Sequence, residues 1–274
     1  IVLNKKRNIF LIILTFIVST FFVIILTNYY INKKQKQLLN SIYESTHKNI
    51  FEKTQNLIND KQNTSLAIAI SLSKDETLYT HLKNRDFEKL NYIKIAKLIE
   101  TNSKYKNIWI QIFDSNLNSV YRSWTNIRGS LNFRPDLKKV EALKNISTSI
   151  SAGLFNIGIR ARVPIFDENN SFYGALEVVT HFDSITEDLV KNNISPVVIG
   201  DKSIRKNLTN PLLSKLFIDD YYIANENVDM NLYKYIKENG VEKYINIDKF
   251  IIENGYLISK YPLFDENKNK ELKN

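Results

Sequence analysis

Ile157-Gly-Ile-Arg-Ala-Arg-Val-Pro-Ile-Phe166 and Ser171-Phe-Tyr-Gly-Ala-Leu-Glu-Val-Val-Thr180 are two runs rich in β-branched and aromatic residues, joined by the polar loop Asp167-Glu-Asn-Asn170. They read as an antiparallel hairpin. With Phe166 opposite Ser171, Ile159, Ala161, Val163 and Ile165 share an apolar face with Val178, Leu176, Gly174 and Phe172. The other face carries Arg160 opposite Glu177, Arg162 opposite Ala175, and Tyr173. A one-residue slip would move every side chain to the wrong face, which supports this register.

The same signals recur upstream. Ile108-Trp-Ile-Gln-Ile-Phe113 is a strand, Asp114–Asn118 a turn, and Ser119–Trp124 a second strand. Pairing Phe113 with Val120 places Trp109, Gln111, Arg122 and Trp124 on one face, which holds both tryptophans of the chain. A guanidinium fork can give a carboxylate two parallel hydrogen bonds, and indole walls exclude water. The plainer alternative is that Arg122 forms a surface pair and the tryptophans are cross-strand packing partners. Arg160 and Glu177 are likewise candidates for a ligand or for an ordinary ion pair, with Tyr173 beside them. Proline close to its start marks a helix near Pro135–Lys144, and a further strand covers Thr148–Leu154. Ser184 and Glu187 have the spacing of a capping box for a helix reaching Lys191.

Towards the N-terminus the pattern becomes helical. Lys33 to Leu72 contains neither proline nor glycine, and Leu38, Leu39, Ile42, Ile50, Phe51, Leu57 and Ile58 recur near helical spacing. Shorter helices are expected at about Asp75–Lys83 and Phe87–Glu100. Before them, Asn8 to Asn32 carries no charge, and Ile9 to Thr27 is almost wholly Ile, Leu, Val, Phe and Thr. About 20 such residues cross a bilayer as a helix. Tyr29 and Tyr30 lie where an aromatic belt would sit, and no A-x-A cleavage site follows, so the segment reads as an uncleaved anchor. Lys5, Lys6 and Arg7 on one side balance Lys33, Lys34 and Lys36 on the other, leaving orientation open on charge alone.

Arg162-Val-Pro-Ile-Phe-Asp-Glu-Asn169 returns 98 positions later as Lys260-Tyr-Pro-Leu-Phe-Asp-Glu-Asn267. Both copies are expected to end a strand and enter a polar turn. The second follows Phe250-Ile-Ile-Glu-Asn-Gly-Tyr-Leu-Ile258, whose Asn254-Gly255 is a hairpin signal. This period implies two domains of one design rather than a solenoid. The chain stops where the second domain would place its last strand, so the parent protein is expected to continue through that strand to another membrane helix.

An anchor, a long helix and two α+β units together resemble the double Cache family of PAS-like extracytoplasmic sensor domains. The resemblance rests on Ser119-Val-Tyr-Arg-Ser-Trp124, Arg160-Ala-Arg-Val-Pro-Ile-Phe-Asp167 and Phe172-Tyr-Gly-Ala-Leu-Glu-Val178, and it covers about Lys33 to the end. It implies an α+β chain: tail 1–8, transmembrane helix 9–30, long helix 33–72, a membrane-distal PAS-like antiparallel domain 73–193, and a truncated membrane-proximal one 194–274. It also implies the sensing region of a histidine kinase, chemoreceptor or diguanylate cyclase, with its body outside the cell membrane, a small-molecule ligand, and dimerisation along the long helix. Amino-acid-binding members of the related branch use R-x-W on this strand for the ligand carboxylate, and Arg122-Ser-Trp124 matches. Thr125 and Ile127 stand where that pattern carries a tyrosine and an ammonium-binding aspartate, which points away from an amino acid and leaves a small carboxylate open.

Other classes find little support in the 274 residues. The absence of cysteine excludes thiolate metal sites and cysteine nucleophiles, and the seven glycines form no phosphate loop. His47, His81 and His181 show no metal-ligand spacing, and no G-x-S-x-G elbow occurs. No enzyme activity and no cofactor are expected. The net charge of +9 is spread along the chain rather than gathered in a stripe, which argues against nucleic acid. The rival to a sensor is an anchored protein-binding or structural module with no small ligand.

Overall fold

The computed structural model describes residues 2–263, with the side chains of α1 described from Leu11 onward except Ile12. The elements are α1 (Val2–Ser73), α2 (Glu76–Asn84), α3 (Ile93–Asn102), β1 (Trp109–Asp114), β2 (Asn118–Arg122), β3 (Gly129–Ser130) and α4 (Pro135–Leu143). Then follow β4 (Ser147–Ala152), β5 (Ile157–Phe166), β6 (Phe172–Thr180), α5 (Asp183–Val190), β7 (Ile199–Gly200), β8 (Phe217–Ile218) and β9 (Tyr221–Ile223). The last are α6 (Met230–Asn239), α7 (Val241–Ile245), β10 (Phe250–Glu253) and β11 (Tyr256–Ser259). The fold is α+β with antiparallel sheets.

The chain divides into two units. The first comprises Ile1–Ile50 and Lys249–Ser259. Within it α1 is one helix long and apolar enough to cross a bilayer, with Phe16, Ile17, Phe21 and Phe22 exposed. Nearer its end, Tyr43 and His47 meet Phe250 of the β10–β11 hairpin, and His47 Nδ1 lies 2.7 Å from Ser259 Oγ. That hairpin turns at Asn254-Gly255, both at positive φ, as the sequence predicts. β11 ends at Ser259, where its partner β10 begins at Phe250. Among the described residues β11 pairs with β10 alone, and Lys260–Leu263 follows the strand, whereas Arg162–Ile165 lies within β5. Phe264–Asn267 of the second copy lies outside the described residues.

The second unit comprises Phe51–Asp248 and the segment from Lys260. Its main sheet has the order β3-β2-β1-β6-β5-β4 and is antiparallel throughout. Helices α1, α2 and α3 cover one face, with Leu66, Ala69, Leu78, Leu82 and Ala96 packed on Ile110, Ile112, Ala161, Val163, Leu176 and Val178. Each large side chain removed from water here is worth about 1.5–3 kcal/mol. Ser65 of α1 adds a buried hydrogen bond of 2.9 Å to Thr180. On the other face, Leu137 and Val140 of α4 pack on Phe113 and Ala175. After α5, a three-stranded antiparallel sheet of order β7-β9-β8 follows. Its Tyr222, with Leu208 and Ala224, shares a core with Ile185 and Leu189 of α5 and with Ile58 of α1.

Phe113 stands opposite Ser119 rather than Val120, and a bulge between Ile112 and Phe113 restores the Gln111–Arg122 pair. Three further local expectations need correction. β5 and β6 are paired two residues away from the expected register: Arg162, not Arg160, stands opposite Glu177, and Ile165 opposite Gly174. A two-residue shift leaves every side chain on its expected face, so polarity alone could not detect it. Ser184 does not cap α5. The N-cap is Phe182, without a side-chain bond, and Ser184 Oγ instead accepts a hydrogen bond from Lys61 Nζ at 2.7 Å.

The third concerns Tyr173. Gly174 has φ +149°, and a Cβ there would lie 2.0 Å from the Phe113 carbonyl oxygen. This conformation, beside the bulge at Ile165/Phe166, interrupts the alternation of β6. Tyr173 therefore packs on the helical face, edge-on to Tyr79 at 5.2 Å, while Phe172 joins the face covered by α4. Gly174→Ala should destabilise the protein by at least about 2 kcal/mol, measured by urea unfolding of the full chain in micelles.

Candidate functional site

The face of the main sheet opposite α1 carries charge in its interior. Strand alternation delivers Gln111 from β1, Arg122 from β2, Arg160 and Arg162 from β5, and Glu177 from β6. The chain entering α4 adds Arg134 and Asp136. Pro135 at the first turn fixes that entry and carries no amide hydrogen to satisfy. All four arginines and both carboxylates are nearly inaccessible to solvent.

Glu177 sits at the centre. Arg134 grips it with a two-pronged contact of 3.1 Å and 3.0 Å and also holds Asp136 at 3.1 Å and 2.6 Å. Arg160 reaches Glu177 at 3.2 Å, and Arg162 reaches it at 3.3 Å while also binding Asp136 and Ser149. Burial alone would raise the Glu177 carboxyl, but Arg134, Arg160 and Arg162 outweigh it and hold it at about 2. For Asp136, burial is likewise overcome, chiefly by Arg134 and Arg162, and its carboxyl is pushed well below the ordinary range. Burial, reinforced by Arg134, lowers the Arg160 guanidinium to about 10.

Arg122 stands apart. It is 3% exposed, and among the described residues no carboxylate lies within 4 Å of it. Its donors go to neutral acceptors. With the Gln111 amide oxygen turned inward, that oxygen accepts from Arg122 Nε at 2.9 Å, from Nη2 at 3.1 Å and from Ser119 Oγ at 2.7 Å; Arg122 Nη1 donates to the Ile127 carbonyl. Burial first, then Arg128, lowers the Arg122 guanidinium to about 10.

Arg122, Gln111, Trp124, Phe155, Arg134 and Arg160 border a narrow recess with about 10 Å³ of free space, room for roughly one water. A solute of several heavy atoms would need its wall to open. Trp109 lies behind the wall, stacked on Trp124 at 4.5 Å and 9°. Phe155 stands edge-on to both tryptophans, and the Arg122 guanidinium lies 5.3 Å from its ring centre. The Trp124 indole N–H is buried and has no acceptor among the described residues. His181 packs against Trp109 at 4.5 Å, and burial holds its imidazole neutral at about 3. Among the described residues no group of three metal-ligating side chains occurs.

Of the residues singled out in the sequence, Arg122, Trp124, Gln111 and Arg160 line the recess, and Trp109 and Glu177 support it from behind and beneath. Tyr173 lies on the other face. Sequence reading missed Arg134, Asp136, Phe155 and Asn156. The one signal was Arg134-Pro-Asp136, charged residues at a helix start, whose side chains could have pointed anywhere.

No family model matches the chain, and no curated protein matches it. Solved structures do. The sensor domain of the V. cholerae histidine kinase DctB aligns with a TM-score of 0.46 and 13% identity over 81% of this chain and 87% of its own. The sensor domain of E. coli DcuS aligns with a TM-score of 0.39 and 18% identity over 51% of this chain and 98% of its own. The ligand-binding domain of the Campylobacter jejuni chemoreceptor Tlp3, in complex with 4-methylisoleucine, gives 0.41 and 17% over 63% and 75%.

The ion cluster sets a pH dependence. Glu177 in the folded chain lies below its ordinary value of 4.5, so its contribution is complete above that value and disappears as pH falls through it towards 2. The loss should reach about 3 kcal/mol from this residue, with Asp136 adding in the same direction. Chemical denaturation at stepped pH should show stability falling over that window. Glu177→Gln should flatten the slope and cost about 3–5 kcal/mol at neutral pH by leaving Arg160 without a carboxylate and Arg134 and Arg162 to share Asp136.

Proposed function

We propose that this chain is the sensing region of a membrane-anchored signalling receptor and that its ligand is a small organic carboxylate bound at Arg122. The observation that carries this is a buried guanidinium with no carboxylate partner, facing a recess walled by Trp124 and Phe155. A buried charge is expensive unless it is paired. A carboxylate admitted by an opening of this wall would supply the pair, and the Trp124 N–H, buried without an acceptor among the described residues, would be a further donor. The surrounding cluster has four guanidiniums against two carboxylates, so the site attracts an anion before any contact forms.

Signalling follows from what the sheet carries on its two faces. The ligand site lies on one and α1 packs on the other, and α1 is the helix whose N-terminal part is apolar enough to anchor in a bilayer. A ligand preferring one packing of the sheet on α1 shifts the population towards it, by no more than its difference in affinity between the two states. In this reading the body lies outside the cytoplasm, Leu38, Leu39 and Ile42, all exposed on α1, meet a second copy, and the elements after α5 belong to a second, membrane-proximal domain.

The test is thermal unfolding of the full chain in micelles against a panel of short mono- and dicarboxylates. One or more should raise the melting temperature, with about 2.7 kcal/mol of stabilisation at a hundredfold excess over Kd. Arg122→Ala should remove the shift while the protein remains folded. A panel without effect, or a shift that survives Arg122→Ala, would refute the reading.

A further inference from the structure

A second unpaired cation lies buried on α1. Lysines ordinarily run their stems along the surface and keep the ammonium in water. Lys61 is only 3% exposed. Its ammonium donates to Ser184 Oγ at 2.7 Å and lies 3.6 Å from the centre of the Tyr105 ring. No carboxylate lies within 4 Å of it among the described residues. Of the nearby acids, Asp188 binds Lys104 at 3.1 Å and Lys191 at 3.2 Å, while Asp183 accepts from the Glu226 amide at 2.8 Å through Oδ1 and keeps a buried Oδ2 without a hydrogen bond among the described residues. An ammonium has three donors, and the hydroxyl and the ring account for two.

Lys61 borders a recess of about 300 Å³ formed where α1, the segment after α3 and α5 meet. Asn63 and Thr64 line it from α1, Lys104 and Tyr105 from the linking segment, and Ser184 from α5. Asp60 and Asp188 also line it, and Asp188 is paired with Lys104 at 3.1 Å, so the cation in the wall that lacks a carboxylate within 4 Å among the described residues is the buried Lys61 ammonium. None of its lining residues belongs to the Arg122 recess. We propose that it is a second ligand site, taking a small oxyanion, carboxylate or phosphate, on the Lys61 ammonium.

Proton linkage gives this site a signature that the Arg122 site lacks. Burial, with Lys104 adding to it and Asp183 and Asp188 opposing, lowers the Lys61 amine to about 7. The other titratable groups around it are Asp60 on α1, Tyr105 beside Lys104, and His181 before α5. An empty site near neutral pH therefore holds a neutral amine in roughly half of the molecules. An anion favours the ammonium, so binding takes up a proton and affinity falls as pH rises above about 7. Occupancy would also strengthen the link between α1 and α5 by fixing the charge that bridges them.

The experiment is calorimetric titration of the full chain in micelles, carrying Arg122→Gln to silence the first recess, with acetate and with inorganic phosphate as separate probes. Saturable binding at millimolar concentration is expected for at least one. Acetate alone would identify a carboxylate site and phosphate alone a phosphate site. Affinity should drop at least tenfold between about pH 6 and about pH 9, with proton uptake visible as a dependence on buffer ionisation enthalpy. Lys61→Met should abolish binding without unfolding the chain, and Lys61→Arg should keep binding but lose the pH dependence. Binding of neither probe, binding unchanged in Lys61→Met, or affinity flat with pH would each overturn the proposal; should Lys61→Met not fold, the pH profiles of the parent and Lys61→Arg proteins decide.

Discussion

Three guanidinium groups share the Glu177 carboxylate inside a β-sheet, and the candidate site depends on that neutralisation. A buried charge without a partner costs several kcal/mol, so Arg134, Arg160 and Arg162 can occupy the interior only because Glu177 and Asp136 lie among them. The cluster contributes more order than net stability, since a well-packed apolar core of equal volume would hold the strands as firmly. What it provides is a set of donors fixed in direction before a ligand arrives, each guanidinium braced by at least one anionic or carbonyl oxygen. Arg122 lies at the margin of this arrangement, held by an amide and a main-chain carbonyl, with no carboxylate within 4 Å among the described residues.

The two faces of the main sheet divide the work. One is apolar and carries three helices; the other is charged and borders the recess. Both are built from the same strands, and neighbouring residues such as Ile110 and Gln111 point to opposite sides. A shift in strand position on one side must therefore appear on the other. For the receptor proposed above, ligand site and helix would need no separate relay between them.

Much of this was legible in the sequence, for reasons that are specific. β5 is bounded as expected because turn residues flank it; next to the turn, however, Phe113 stands opposite Ser119 rather than Val120, and the Gln111–Arg122 pair follows only because a bulge between Ile112 and Phe113 takes up the difference. The β5–β6 register escaped because shifts of two preserve polarity, and only the bulge at Ile165/Phe166 distinguishes them. Tyr173 was placed on the wrong face because a strict period of two assumes that every residue is extended, which Gly174 is not. Arg134 and Asp136 could not be assigned a distant neighbour from local pattern, since Glu177, which Arg134 binds, and Arg162, which binds Asp136, are far off in sequence and meet them only through the packing of α4 on the sheet. Ser184 shows the same limit in reverse: its spacing to Glu187 satisfies a local rule, but Lys61 from a distant helix claims the hydroxyl.

The inversion at Gly174 has a mechanical corollary. Beyond that residue the end of β6 plugs Phe172 into the layer formed with α4 and Tyr173 into the layer formed with α2, like a rivet driven through a plate. The helix that brings Arg134 to the recess and the helix that follows α1 in the chain are thus clamped by adjacent side chains on one strand end. Motion of either is felt by its counterpart at this rim, over a distance of one peptide, without disturbing the packed centre of the sheet.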